Sequence, residues 1–365
     1  MRVVVAPDKF KGSLSATEAA DAIGRGCRAA GADTDLAPVA DGGEGTLDAL
    51  VMAKGGSVMG VIARGPLGIP VRAHLGRLED GTGVVELAQA SGLELVSESE
   101  RDPMRASTQG TGELIKGALA RKPSRLIVAI GGSATVDGGT GLARALGIRF
   151  YDAAGGEVQP GGEGMQRIAR IDASGLDARW SAVEVIVAAD VLSPLTGPDG
   201  AARVYGPQKG ATAEQVGHLE RGLENLGHRI EADLGVKVID MPGAGAAGGV
   251  GAMLLGMGAE LRSGAEVVLD AIELPRRIAD ADLVVTGEGR LDESTMAGKG
   301  PAVVAAMARE AEVPCVALVG EAVVKPEAFD EVRSLAEHFG SLDEARARAG
   351  AGLQALAARV VSDWR

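Results

Sequence analysis

Five stretches of this 365-residue chain share one pattern: an apolar, β-like run stops abruptly at glycines accompanied by a carboxylate or a lysine. They are RVVVA before PDKFKGS, LAPVA before DGGEGT, RLIVAI before GGSATVDGG, VEVIVAA before DVLSPLTG, and ADLVVT before GEGRLDEST. Short apolar runs bounded by turn residues, alternating with helical patterns, are the mark of βαβ units and a mainly parallel sheet. As neighbouring parallel strands, the five predict Asp8, Asp41, Asp137, Asp190, Glu288 and Asp292 near one crevice at the carboxyl ends, where open α/β sheets bind ligands. That arrangement is a composite site for a charged small molecule.

The length predicts about two domains, from roughly 150 residues per domain. Residues 1–60 alternate strand and helix. From Ser57 to Leu95 the chain reads as short strands separated by the turns RGPLGIP and EDGTG, an antiparallel element opening a second domain. Alternation returns with ADLVVTG, a helix through GPAVVAAMAREAE and the strand PCVALVG, and a last helix LDEARARAGAGLQALAARVVSDW. The expected architecture is α/β with one discontinuous domain (1–64 and 265–365) and another inserted into it (65–264).

Acidic residues outnumber basic ones, 50 to 37, and aromatic residues make up only 2% of the chain. A nucleic-acid surface needs a basic face and stacking aromatics, so that class of partner is excluded. Cys27 and Cys315 stand in helix-like and strand-like contexts and read as buried thiols. The first strand is followed at once by Asp8 and Lys9, unlike a signal peptide, so the cytoplasm is the expected location and no membrane partner is expected. The uncharged stretch Met241 to Ala259 holds seven glycines and Pro242, so it reads as a buried glycine-rich turn and helix. Oligomeric state is left open between monomer and homo-oligomer.

Glycine makes up 55 of 365 residues, about twice the ordinary 7%. At strand exits it allows positive φ and close backbone approach, so that successive N–H groups converge on an anion. PDKFKGS offers Asp8, Lys9, Lys11, Gly12 and Ser13, with Ser13 or Ser15 to cap the next helix. DGGEGT offers Asp41, Gly43 and Glu44, the last as a ligand or a first-turn acid. GGSATVDGG brings Gly131, Gly132, Ser133 and Asp137, but Thr135 stands where the hydrolase pattern G-x-S-x-G needs glycine. Of His74, His218, His228 and His338, none stands beside a reactive-looking serine or cysteine, so triad chemistry is not expected. Asp190 is a strand-end ligand or base, or a structural acid. GPQKG adds Lys209, and GEGRLDEST adds Glu288, Arg290 and Asp292, with Lys299 beyond. GAGAAG, residues 243–248, fits G-x-G-x-x-G, and Asp270 ends a strand-like AEVVLD, a pattern suited to a dinucleotide fold. A Walker-type loop is absent, because Glu293 and Gly300 occupy required positions around Lys299.

Taken in order, PDKFKGSLSA, ADGGEGT, GPLG, STQGTGELI, GGSATVDGG, GPQKGA, GAGAAGG, TGEGRLDEST and AGKGP resemble the bacterial glycerate kinase family of the type 1 class, over roughly residues 1–320. The resemblance implies two α/β domains, flavodoxin-like and restriction-endonuclease-like, and ATP-dependent phosphorylation of D-glycerate with Mg²⁺. Between the two phosphorylation sites 2-phosphoglycerate is the favoured product, with 3-phosphoglycerate as the alternative, and the GAGAAG loop offers a nicotinamide-dependent dehydrogenase as the alternative function. Phosphoryl transfer needs phosphate-binding cations, a carboxylate-held metal and often a base near the accepting oxygen. On that footing Lys9 or Lys11 and the glycine loops (Gly12, Ser13, Gly43, Gly131, Gly132, Gly245, Gly248, with Glu288) take the phosphates. Asp8, Asp137 or Asp292 takes the metal, and Asp190 or Asp41, with Lys11, does the chemistry. Arg290, Lys209 and Ser133 hold glycerate. The chain departs from the family pattern at Val136, Ser193, Thr196 and Ser294.

Overall fold

The computed structural model describes residues 1–296, 300–324 and 326–365. Lys299 lies outside the described residues, as does the side chain of Ser294. The protein is α/β, and its chain divides into two compact units. The first comprises Met1–Asp41, Asp48–Gly55 and Ala265–Arg365; the second comprises Gly42–Leu47 and Gly56–Gly264.

The first unit is built on a five-stranded, all-parallel sheet in the order Glu331–Ser334, Cys315–Val319, Leu283–Gly287, Arg2–Pro7, Asp33–Leu36. Numbered along the chain and read from Asp33–Leu36, this order is 2-1-3-4-5. In such doubly wound sheets the winding reverses between strands 1 and 3, and the two loops leaving them part to open a crevice. Those loops here begin at Asp8 and Glu288. Val3, Val5, Leu283, Val285, Val316 and Leu318 are fully buried, and helices Ala16–Ala29 and Ala349–Asp363 pack against them through Ile23, Cys27, Leu353 and Val360. Each such side chain contributes about 1.5–3 kcal/mol through burial. Ser15 closes a capping box with Glu18, which fixes where the first helix starts and hence the length of the loop before it.

The second unit has a six-stranded sheet in the order Glu260–Arg262, Glu184–Ala188, Arg125–Ala129, Gly83–Glu86, Pro70–Leu78, Gly56–Arg64. The first four strands are parallel; the last two join antiparallel. Gly56–Arg64 pairs with Pro70–Leu78 along its whole length, from Gly56 opposite Leu78 to Arg64 opposite Pro70. That ladder assigns residues 56–64 to the second unit, whereas the sequence reading ended the first segment at residue 64. The long helix Ala213–Leu234 starts at a Thr212–Gln215 capping box and buries Leu219, Leu223, Leu226 and Ile230, the expected three-and-four spacing.

Four local expectations change. The five apolar runs do not share one sheet: RVVVA, LAPVA and ADLVVT serve the first, while RLIVAI and VEVIVAA serve the second. In LAPVA the strand ends at Leu36, and Ala37 and Val39 follow the neighbouring strand only through N–H bonds to Val5 and Pro7. AEVVLD lies in the helix Gly264–Ala271, because burial of Ala265, Val267, Val268 and Leu269 suits a helix turn rather than alternation. The last helix is two, Leu342–Ala347 and Ala349–Asp363, broken at Arg348 with φ −119°.

Both cysteines are buried free thiols, Cys27 pushed up to about 11 and Cys315 to about 12 by desolvation. Among the described residues no helix is long and apolar enough to cross a membrane.

Candidate active site

In the first unit, the crevice between strands Arg2–Pro7 and Leu283–Gly287 holds a cavity of about 450 Å³. Asp8, Lys9, Phe10, Lys11 and Ser13 line it from one loop, and Glu288, Arg290 and Asp292 from the other, with Asp41 beside them. Phe10 is buried and pairs across a tight turn with Leu14, so the lysines on either side of it diverge. Lys11 is exposed, and Lys9 Nζ reaches Asp41 at 3.1 Å. Gly12 turns this loop at φ +81°, and the Ser13 hydroxyl donates to Phe10 O, so both shape the turn. Asp8 is nearly buried. Its Oδ1 accepts the Lys9 N–H at 2.6 Å, and a Cβ built on Gly300 would lie 3.3 Å from Oδ2. The carboxylate therefore faces the amino end of the helix Gly300–Glu310, where the helix dipole favours negative charge. Buried Glu288 accepts the Thr295 hydroxyl at 2.6 Å. Arg290 reaches Asp292 at 3.6 Å and Glu321 at 3.8 Å. The two loops approach closely because Gly289 has no side chain: a Cβ there would stand 3.0 Å from Lys11 N.

The second unit has a smaller pocket, about 170 Å³, lined by Gly131, Gly132, Ser133, Asp190, Lys209 and Ala247 among others. Lys209 is only 3% exposed. Its Nζ donates to Ser133 Oγ at 2.6 Å and to Thr135 O at 2.8 Å, leaving one N–H for the pocket. Burial pulls Lys209 down to about 7, and the charge of Asp137 opposes that shift. Gly132, at φ +75°, turns the loop. Among the described residues the N–H groups of Gly132 and Ser133 have no hydrogen-bond partner, whereas Gly131 and Ala134 donate to Gly42 O and Ser91 O. Two open donors, a hydroxyl and a buried ammonium form an anion socket. Asp190 is exposed at the exit of Glu184–Ala188, where Oδ1 accepts the Ser263 hydroxyl at 3.3 Å.

The candidate residues thus fall into two sets. Asp8, Lys9, Lys11, Asp41, Glu288, Arg290 and Asp292 share one pocket; Gly131, Gly132, Ser133, Asp190 and Lys209 share the other. Arg290 lines the pocket of the first unit and Lys209 that of the second. Gly43 backs the glycine loop, since a Cβ on Gly131 would stand 2.6 Å from its Cα. Gly245 and Gly248 serve packing: Gly245 donates to Ser193 O, and a Cβ on Gly248 would lie 2.1 Å from Thr135 O. Gly248 also sits at φ +71°. Gly248→Ala is therefore expected to cost at least about 2 kcal/mol, from left-handed strain plus displacement of the 131–137 loop, measurable as a drop in melting temperature.

Asp137 lines neither pocket. It is fully buried, and its carboxylate accepts the Thr108 N–H at 2.8 Å, the Thr108 hydroxyl at 2.9 Å, and the N–H groups of Gly139 and Gly141 at 3.1 and 3.2 Å. Desolvation pushes this carboxyl up despite those four donors. With its oxygens occupied inside the protein, Asp137 is an anchor for the 131–141 loop rather than the metal ligand expected of it. Asp137→Asn turns an NH₂ group toward these donors, so a loss of stability of about 1–3 kcal/mol is expected, measurable by urea titration of the variant against the parent.

Sequence reasoning missed Glu86, a 1%-exposed carboxylate at the end of Gly83–Glu86. Its oxygens accept the Leu47 N–H at 2.7 Å and the Gln89 amide at 3.0 Å, tying the DGGEGT loop to the sheet. GVVE carries the same signal as the five opening runs, an apolar strand ending in an acid. Thr108, which holds Asp137, has no such signal.

The sequence model described as the glycerate kinase family matches residues 3–365. This chain belongs to the glycerate kinase family. It is 49% identical over 324 residues to the glycerate kinase of Bacillus subtilis strain 168, covering 88% of this chain and 85% of that one. To the glycerate 2-kinase of Escherichia coli K12 it is 45% identical, covering 94% and 93%. A crystal structure from Salmonella typhimurium LT2, provisionally assigned as glycerate kinase 2, superposes with a TM-score of 0.90 at 44% identity over 100% of this chain and 98% of that one. The protein is accordingly an enzyme, a kinase. The dehydrogenase alternative falls with this finding and with the local structure. The dinucleotide pattern needs a strand before its glycines, and GAGAAG instead follows a turn and opens the helix Ala246–Gly256, while Asp270 is helical.

Proposed function

We propose that this kinase uses ATP to phosphorylate D-glycerate, with 2-phosphoglycerate as product. The observation that carries the reading is the anion socket of the second unit, where Lys209, Ser133 and two open N–H groups share a small pocket with Asp190. Its 170 Å³ falls below the roughly 300–1,000 Å³ of sites for drug-sized ligands, and suits a three-carbon acid. The socket takes the glycerate carboxylate, and Asp190 accepts the proton of the attacking hydroxyl. The first unit's pocket, at 450 Å³ with Lys9, Lys11 and Arg290 on its walls, takes the nucleotide phosphates.

Mg²⁺ binds through one or two carboxylates together with substrate phosphates rather than in an all-protein cage. The donor set fits that habit: no group of three or more ligating side chains forms a metal site among the described residues, yet Asp8 and Asp292 face the phosphate pocket. These two would hold the ion, which supplies charge neutralisation at the phosphates. The C2 hydroxyl is the one adjacent to the held carboxylate, and the glycerate 2-kinase of E. coli supports the same regiochemistry.

ADP release in a coupled assay with ATP, Mg²⁺ and D-glycerate tests the reading. Turnover that feeds directly into enolase without a mutase identifies 2-phosphoglycerate; a requirement for mutase identifies the 3-phosphate. No glycerate-dependent ADP release would overturn the proposal.

A further inference from the structure

The contact between Lys209 Nζ and Ser133 Oγ, 2.6 Å long, has a chemical capacity that carboxylate binding leaves unused. A serine hydroxyl beside a buried lysine is one of the known ways to make an oxygen nucleophile without histidine. Ser133 lines the pocket, so a ligand there meets its hydroxyl. The N–H groups of Gly132 and Ser133 are unpartnered among the described residues, and Gly132 turns the chain immediately before Ser133 at φ +75°. Nucleophile, base and two oxyanion donors thus stand in one small cavity. Apolar residues, Leu93, Ile130, Ala189 and Val191, also line the pocket and offer contact to a short acyl chain.

We infer that Ser133 and Lys209 form a serine–lysine dyad that accepts acyl groups from short, activated esters, a second activity independent of nucleotide. Ser133 Oγ attacks the ester carbonyl carbon while its proton passes to neutral Lys209, and the carbonyl oxygen takes negative charge against the Gly132 and Ser133 N–H groups. The bond to the leaving alkoxide or phenolate breaks, and Lys209 returns the proton to that oxygen. Water then attacks the acyl-serine, losing a proton to Lys209 and regenerating Ser133 with release of the carboxylic acid. Lysine must be uncharged to begin, and burial brings Lys209 down to about 7, within reach of ordinary assay conditions.

The test uses the full chain with p-nitrophenyl acetate, with neither ATP nor glycerate present. Expected are p-nitrophenolate release and a peptide carrying acetyl on Ser133, both abolished in Ser133→Ala. The rate should rise as pH passes through about 7. Lys209→Arg, which keeps the charge and cannot act as base, should lower it by about 100-fold or more while the melting temperature verifies folding. D-Glycerate should slow acetylation if it occupies the same pocket. Acetylation of Ser133 that glycerate does not slow leaves the dyad standing and overturns the glycerate assignment of the pocket instead. Absence of acetyl on Ser133, or an undiminished rate in folded Lys209→Arg, would overturn the dyad.

Discussion

Asp190→Asn is expected to lower kcat by about 10²- to 10⁴-fold, the range for loss of a general base, with the melting temperature essentially unchanged. The side chain is exposed at a strand exit, and its hydrogen bond from the Ser263 hydroxyl is 3.3 Å long. Substitution at such a position stays within about 0.5 kcal/mol of neutral. Because asparagine keeps the shape and cannot accept a proton, kcat and kcat/KM should fall together, the signature of an interaction made in the transition state. Asp41, the other candidate base, behaves differently. It is paired with Lys9 at 3.1 Å, both side chains about 40% exposed, an arrangement worth under about 1 kcal/mol to stability. Asp41→Asn alters how Lys9 is held, so its effect should appear in the KM for ATP. Steady-state kinetics of the two variants decides: full turnover in Asp190→Asn with a collapse of kcat in Asp41→Asn would exchange the roles.

The strand exits were legible because their signal is local. An apolar run, a glycine and a charged residue are consecutive in the sequence, and each of the five does end in a loop at or beside a pocket. Which exits meet was not legible, because parallel strands are joined by crossovers and neighbours in the sheet are far apart in the chain. Arg2–Pro7 lies beside Leu283–Gly287, some 280 residues on, and only the paired register Val3 to Leu283 shows it. The same limit misplaced Asp137. Its sequence neighbourhood, GGSATVDGG, resembles that of a ligand, while the fact that decides its role is Thr108, brought across from the start of another helix to donate twice. Lys209 was visible as a cation on a glycine turn; its near-complete burial was not, since PQK is polar and its enclosure comes from the 131–135 loop. Glu86 shows the converse failure: a legible signal passed over because its strand opened with hairpin turns.

Lys209→Met should raise the KM for glycerate by roughly 10- to 100-fold, the loss of one charge-assisted hydrogen bond, with a much smaller change in kcat. The pH dependence makes the assignment specific. Lys209 titrates at about 7 in the folded protein, against 10.5 for an ordinary lysine, because burial disfavours its charged form. Between these values the unfolded chain binds the proton and the folded chain does not, so this group makes stability rise with pH by about 1.4 kcal/mol per unit across that window. Below pH 7 both states are protonated and the full cost of burying the charge is present; above 10.5 neither is and the cost has vanished. Without ligand, Lys209→Met should therefore be most favourable relative to the parent near pH 6, and that advantage should shrink steadily as pH rises, as read from urea titrations of both proteins. Ligand binding runs the other way. In the proposed site glycerate binds the ammonium, so above pH 7 it must bind together with a proton, and its affinity for the parent should weaken about tenfold per unit. In Lys209→Met that slope should be absent. A KM for glycerate that stays flat from pH 7 to 9 in the parent would remove Lys209 from the carboxylate site, whatever the variant's stability.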